Sequence, residues 1–191
     1  VGLAHLLNAC LEEGTMERVI HTSTSEVYGT AQYIPIDEKH PLQAQSPYAA
    51  SKIAADKLAE SYYLSFGLPI ATIRPFNTFG PRQSLRAIIP TIISQAIGDK
   101  KIRLGNTQPR RDFLFVKDTV RGFIQLGKCE GAVGKVVNIG TGTDISIEEL
   151  VKKILGLLGK QGEIEVEDRR IRPEKSEVMQ LLSDTRLAQK L

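Results

Sequence analysis

Tyr48 and Lys52 stand four residues apart in Ser46-Pro-Tyr-Ala-Ala-Ser-Lys52. On a helix that spacing puts both on one face. A phenol alone has a pKa of about 10 and is a poor base near neutrality. An ammonium held beside a phenol favours the phenolate. Such a pair can take or give a proton at a carbon that passes between hydroxyl and carbonyl. Taken alone, the spacing equally describes a surface pair on a helix. Ahead of it, Thr22-Ser-Thr-Ser-Glu-Val-Tyr-Gly29 supplies hydroxyls and one carboxylate, Glu26, that could meet Tyr48 over a bound substrate. Behind it, Lys100, Lys101, Arg103, Arg110 and Arg111 form a run without an acid, with Arg82 and Arg86 shortly before. That run describes either a solvated basic face or a site for a phosphorylated small molecule, because guanidinium and phosphate pair through parallel hydrogen bonds. His5, His21 and His40 are scattered, so no metal site is expected. Cys10 and Cys129 lie far apart and read as reduced thiols in or near a core.

The elements that must position these groups alternate between strand and helix. An apolar stripe over residues 1–11 predicts a helix that stops at Gly14. Residues 18–23 predict a strand, and residues 24–45, polar and broken by Gly29, Pro35 and Pro41, a long functional loop. Ser46 as N-cap and Pro47 in the first turn open a helix over 47–66. Residues 68–74 predict a second buried strand, and 75–86 another loop. A helix is expected over 87–97, short strands over 101–104 and 112–116 around a Gly-Asn turn, and a helix capped by Asp118 that runs to Leu126. A strand over 135–139 leads into Gly140-Thr-Gly142. Ser146-Ile-Glu-Glu149 is a capping box that opens a helix to Leu158. A strand over 163–167 and a helix over 183–191 close the chain. The acid–base alternation of 163–177 reads mainly as a solvated edge.

That order predicts an α/β fold with a mainly parallel sheet and chemistry at the carboxyl ends of its strands. The loops at Thr24 and Pro75 would open at the same edge. The 191 residues allow one domain, or one with a small appendage. Ordinary apolar and charged fractions of 41% and 25% exclude a disordered, collagenous or coiled-coil chain. No apolar run is long enough to span a membrane. A net charge of +3 is too small to argue for nucleic acid as a partner. Val1 opens directly on a helical pattern without a basic leader, so a cytoplasmic enzyme or binding protein is the default.

Four segments in register carry a resemblance. They are Thr22–Gly29, the Tyr48/Lys52 pair, Arg74-Pro-Phe-Asn-Thr-Phe-Gly-Pro-Arg82, and Arg111-Asp-Phe-Leu-Phe-Val-Lys-Asp118. Together they resemble the extended short-chain dehydrogenase/reductase family, and within it the nucleotide-sugar epimerases, dehydratases and decarboxylases. The resemblance implies a Rossmann-like doubly wound parallel sheet with a smaller α/β substrate-binding lobe. Residues 1–80 would be the second half of the NAD-binding domain and 81–191 mainly the substrate lobe, with 112–140 returning to the Rossmann sheet. It implies NAD as cofactor, near Thr22, Ser23, Tyr48, Lys52 and Pro75. It implies Tyr48 as base, Lys52 as the group that orients the nicotinamide ribose, and Thr24 as the hydroxyl on the reacting sugar. Asn77, Arg111 and Arg172 would contact the sugar diphosphate, and Arg82 and Arg86 belong to the same basic surround. A homodimer through the helices of 1–11 and 47–66 is implied as well.

Glu26 selects the reaction in this resemblance. Oxidation at C4 acidifies the C5 proton. A carboxylate there can remove it and drive loss of water from C6, after which hydride returns to C6. Thymidine-linked glucose dehydratases carry Asp-Glu, whereas Ser25-Glu26 matches GDP-mannose-type dehydratases and UDP-glucuronate decarboxylases. The stretch from Thr22 to Gln95, with Arg170–Val178, is similar to nucleotide-linked N-acetylhexosamine 4,6-dehydratases. A 4,6-dehydratase is therefore expected. A UDP-glucuronate decarboxylase, a 4-epimerase and a non-catalytic nucleotide-sugar-binding fragment remain the alternatives. The family's Gly-rich phosphate turn is expected ahead of Val1, and Gly140-Thr-Gly142 is too late in the chain to be it. A further segment is expected beyond Leu191.

Overall fold

The computed structural model describes residues 2–98, 101–171 and 173–191. Helix α1 (Gly2–Glu13) ends where Gly14, at φ 66°, donates its N–H to the Cys10 carbonyl. Strand β1 (Val19–Thr22) leads into a 3-10 turn, Ser25–Tyr28. Helix α2 (Pro47–Phe66) begins as its sequence predicts. The Ser46 hydroxyl accepts from the Ala49 N–H at 3.0 Å, and Pro47 fills a position that has no helical acceptor for an N–H. Then come β2 (Ile70–Pro75), β3 (Asn77–Phe79), α3 (Ile88–Gly98), β4 (Lys101–Leu104), β5 (Arg110–Arg111) and β6 (Phe113–Phe115). After them lie α4 (Val116–Lys128), β7 (Val136–Ile139), β8 (Ile145–Ser146), α5 (Ile147–Leu157), β9 (Glu163–Val166), β10 (Gln180–Leu181) and α6 (Arg186–Lys190). The expected capping box at α5 is complete, with Ser146 and Glu149 exchanging bonds.

The central sheet is parallel, in the order β1-β2-β7. Thr22 registers with Ile73 and Pro75 with Ile139, so the carboxyl ends share one edge. Alternate residues feed opposite faces. Val19 and Ile70 pack with Leu7 of α1 and Ala59 of α2, while Ala71, Ile73 and Val137 pack with Leu126 of α4, flanked by Leu187 of α6. Helices on both faces explain why β2 is buried nearly throughout. A second core joins Ile92 of α3, Ile102 and Leu104 of β4 and Val151 of α5. There β4 pairs in parallel with β9. The architecture is the expected α/β class.

Local expectations fail where an element is too short to carry a period. Residues 77–79 form β3 rather than loop, because they pair in parallel with β6, and Phe79 meets Phe113 and Phe115 at ring separations of 6.4 and 5.6 Å. The two strands expected around the Gly-Asn turn do not pair with each other: β4 takes β9, and the strand expected over 112–116, observed as β6, takes β3, while β5 just before it lies between β10 and β8. Asp118 does not cap α4. The helix leaves β6 directly at Val116, so Asp118 falls in its first turn and pairs with Arg121 at 3.1 Å. No helix runs from Ser183, because it bridges Ile36 in parallel and its hydroxyl is bonded to buried Asp112, so the helix begins only at Arg186.

Candidate active site

Lys52 and Tyr48 occupy the first turns of α2, beside the end of β1. The Lys52 ammonium donates to the Thr22 carbonyl at 2.9 Å, which pins it at the sheet edge. The Tyr48 side chain is more than half exposed. Thr24 caps the 3-10 turn, its hydroxyl accepting from the Glu26 N–H at 3.3 Å. Ser25 is buried, and Ser23 is turned inward, donating its hydroxyl to Asp56 Oδ2 at 2.9 Å. Pro75 closes β2 at the same edge.

A cavity of about 400 Å³ opens next to this edge. It brings together Glu26, Asn77, Arg86 and Arg111 from four separate segments. Tyr48, Lys52, Thr24 and Pro75 are not among its lining residues, and neither is Arg82, which borders an apolar groove with Phe79 and Leu85. Arg82 adopts φ 69°, a strained backbone for a residue with a Cβ. Arg172 and Lys100 lie outside the described residues. The other cations of the basic run are matched by acids: Lys101 and Arg103 by Glu165, Arg110 by Asp144 and Glu149.

Arg111 is largely buried in β5. It donates from Nη1 to the Arg110 carbonyl at 2.9 Å, and Nη2 lies 3.9 Å from Glu177 Oε1. Its neighbour Asp112 is fully buried and ties several of the cavity segments together. The Asp112 carbonyl accepts from the Asn77 N–H at 3.1 Å. Its carboxylate accepts from the Thr141 N–H and hydroxyl and the Gly142 N–H, at 2.9, 2.6 and 3.1 Å, and from Ser183. Gly140-Thr-Gly142 is thus an anion cradle, but the anion it holds is a side chain of its own chain. Asn77 Oδ1 and Gln83 Oε1 are buried in the cavity wall without a hydrogen-bond partner.

Two contributions were not expected from the sequence. Glu177 and Arg170 reach the cavity, so 163–177 is more than a solvated edge. Asp56 and Arg74 form a buried ion pair at 2.8 Å behind the site. The Asp56 signal was present as a third polar residue at the spacing of Tyr48 and Lys52 along one helix face. Burial alone would raise the Asp56 carboxyl, yet hydrogen bonds from His21 and Ser23 and the Arg74 charge outweigh it and hold it below the usual range.

A parallel sheet wound on both faces, with a Tyr–Lys pair at its carboxyl edge and an arginine-lined cavity next to it, is a Rossmann-type arrangement. The chain matches the family model described as GDP-mannose 4,6 dehydratase over residues 1–191, and it belongs to that family. It is 34% identical over 155 residues to a dTDP-D-glucose 4,6-dehydratase of Homo sapiens, across 81% of this chain and 44% of that one. Among solved structures it is similar to dTDP-glucose 4,6-dehydratase of Bacillus anthracis in complex with NAD, with a TM-score of 0.90 and 30% identity over 99% of this chain and 59% of that one. It is also similar to UDP-glucuronic acid 4-epimerase of Bacillus cereus in complex with UDP-glucuronic acid and NAD, with a TM-score of 0.89 and 28% identity over the same shares. The chain spans about half the length of the curated relatives it matches. Among the described residues no helix is long and apolar enough to cross a membrane.

Proposed function

We propose that this chain carries the catalytic and sugar-diphosphate-binding part of an NAD-dependent nucleotide-sugar 4,6-dehydratase. The observation that carries the reading is Glu26 in one cavity with Asn77 and Arg111, beside the edge where Lys52 is pinned. NAD suits the groups present. Lys52 offers donors at the end of β1, and the Tyr48 phenol stands exposed one turn away, a donor set matched to a ribose diol and a reacting hydroxyl. Tyr48, Lys52, Thr22 and Pro75 would hold its nicotinamide ribose end, whereas the Ser23 hydroxyl, expected there too, is taken by Asp56. When bound, NAD accepts hydride from C4 of the sugar and returns it at C6.

Tyr48 takes the proton of the C4 hydroxyl, with Lys52 stabilising the phenolate and Thr24 hydrogen-bonding the sugar. Glu26 removes the C5 proton and hands it to the hydroxide leaving C6, which departs as water, and the proton taken up by Tyr48 balances the one C5 regains as hydride returns to C6; Ser25 precedes Glu26 in the same turn. Arg111 meets the diphosphate with its planar donors, Asn77 adds its amide, and Arg86 and Arg172 complete the basic surround, without Arg82, which borders the neighbouring apolar groove. Glu177 lies near enough to hold the Arg111 fork in place until the diphosphate arrives. The same reading divides the chain near residue 80, with 112–140 returning to the β1-β2-β7 sheet.

The partner is a nucleotide-diphosphate sugar, and a homodimer would form through α1 and α2, whose exposed Leu6, Leu64 and Phe66 support it. Two free thiols support a reducing, cytoplasmic compartment. Incubating the full-length protein with UDP- and GDP-linked hexoses and N-acetylhexosamines tests the reading. The expected product is a 4-keto sugar lighter by one water. Loss of carbon dioxide from UDP-glucuronate would select a decarboxylase, and an inverted C4 without water loss an epimerase.

A further inference from the structure

We propose that Arg74 is a positioning residue that fixes Glu26 relative to Tyr48 and Lys52, with the Tyr28 hydroxyl as its second anchor. Arg74 lies on β2 with its side chain almost wholly buried. Its Nε and Nη2 donate to Asp56 Oδ2 at 3.0 and 2.8 Å. Its Nη1 donates to the Tyr28 hydroxyl at 2.9 Å. Asp56 stands on α2 one turn past Lys52 and two past Tyr48. Tyr28 ends the 3-10 turn that carries Glu26. One planar group therefore ties the base-bearing helix to the carboxylate-bearing turn.

The rest of the network closes the link on both sides. The hydroxyl of Tyr28, fully buried, donates a hydrogen bond to Asn138 Oδ1 at 2.7 Å, and Asn138 donates to the Ile36 carbonyl at 3.0 Å. Asp56 Oδ1 meets His21 Nε2 at 2.9 Å. A buried ion pair is an inefficient way to stabilise a core, since apolar residues of similar volume usually do as well or better. Its advantage is direction. The guanidinium fork reaches two partners in fixed geometry, which an ammonium on a flexible stem does not. A carboxylate that must strip one proton from a sugar held elsewhere needs that constraint, because a displacement near 1 Å costs on the order of 100-fold in rate.

The inference takes its chemistry from the dehydratase reading, and its test separates the two. In full-length protein, Tyr28→Phe removes one buried hydroxyl and keeps the ring. The expected result is a fall in kcat of roughly 10- to 100-fold at unchanged KM, with a larger isotope effect from deuterium at C5 and an unchanged one at C4. A purely structural role would lower the unfolding midpoint and leave the C5 isotope effect alone, which overturns the proposal. Arg74→Lys keeps the charge, loses the fork and is expected to behave like Tyr28→Phe. Amide exchange gives a readout that needs no turnover. Residues 26–29 should exchange roughly 10-fold faster in Tyr28→Phe while residues 53–63 of α2 stay protected. If the unsubstituted protein dehydrates no nucleotide hexose, the dehydratase reading fails, and the exchange result alone decides the positioning role. Unchanged exchange at 26–29, or loss of folding in both variants, overturns it.

Discussion

At the residue scale, the proposed function gives proton transfer and anion binding to different side chains, and the two should fail differently. Tyr48 is exposed at the sheet edge, so replacing it removes a reacting group and little packing. Tyr48→Phe is expected to lower kcat by about 10²–10⁴-fold with the unfolding midpoint essentially unchanged, checked by steady-state kinetics beside a urea titration. Arg111 is buried in the cavity wall, where the proposed reading has it meet the diphosphate rather than the reacting carbon. Arg111→Lys keeps the charge but loses the fork, so UDP or GDP binding should weaken by roughly 1.5–3 kcal/mol in calorimetry. Turnover at saturating substrate should fall much less. An Arg111 variant that lost kcat alone would contradict the division of labour.

At the element scale, the turn after β7 shows how closely the segments interlock. A Cβ on Gly140 would overlap Ser183 Oγ and come within 2.7 Å of Asp112 Oδ2. Gly140→Ala should therefore cost about 1–3 kcal/mol, read as a lower urea midpoint. It should also weaken nucleotide binding, because Asp112 carries Arg111 on one side and bonds Asn77 on the other. The long elements were legible in the sequence because caps and periodicity agree over many residues, as at Ser46, Gly67 and Ser146. The Tyr48/Lys52 face and the Glu26 and Arg111 segments were legible as motifs. The three-residue β3, the non-local pairings of β4 and β5, and the reach of Glu177 into the cavity were not. Each is decided by a partner tens of residues away, and no local pattern encodes that partner. Gly140-Thr-Gly142 was legible as a segment that is not the phosphate turn, but not as a cradle for Asp112.

At the scale of the whole molecule, a half-buried carboxyl group and a buried one set opposite trends with pH. Glu38 is raised by burial, despite a hydrogen bond from the Asn138 N–H that acts the other way. It takes up its proton more readily in the folded state, so lowering the pH from neutrality first adds stability. Asp56 is held below the usual range, since the bonds from His21 and Ser23 and the Arg74 charge override its burial. Its contribution is fully present above the unfolded value of about 3.9 and is lost as the pH falls through the lower folded value. Protonation there leaves the Arg74 guanidinium buried without a counter-charge. Urea midpoints measured across the acid range should hold level or rise slightly toward the carboxylate range, then fall steeply below about pH 4. Asp56→Ala should cost about 3–5 kcal/mol at pH 7, because it strands the same charge permanently. Asp56→Asn should cost less and flatten the steep acid limb, while Glu38→Gln should remove the shallow gain and leave that limb in place. A steep limb that survives in Asp56→Asn would place the acid sensitivity of the fold outside the Asp56–Arg74 pair.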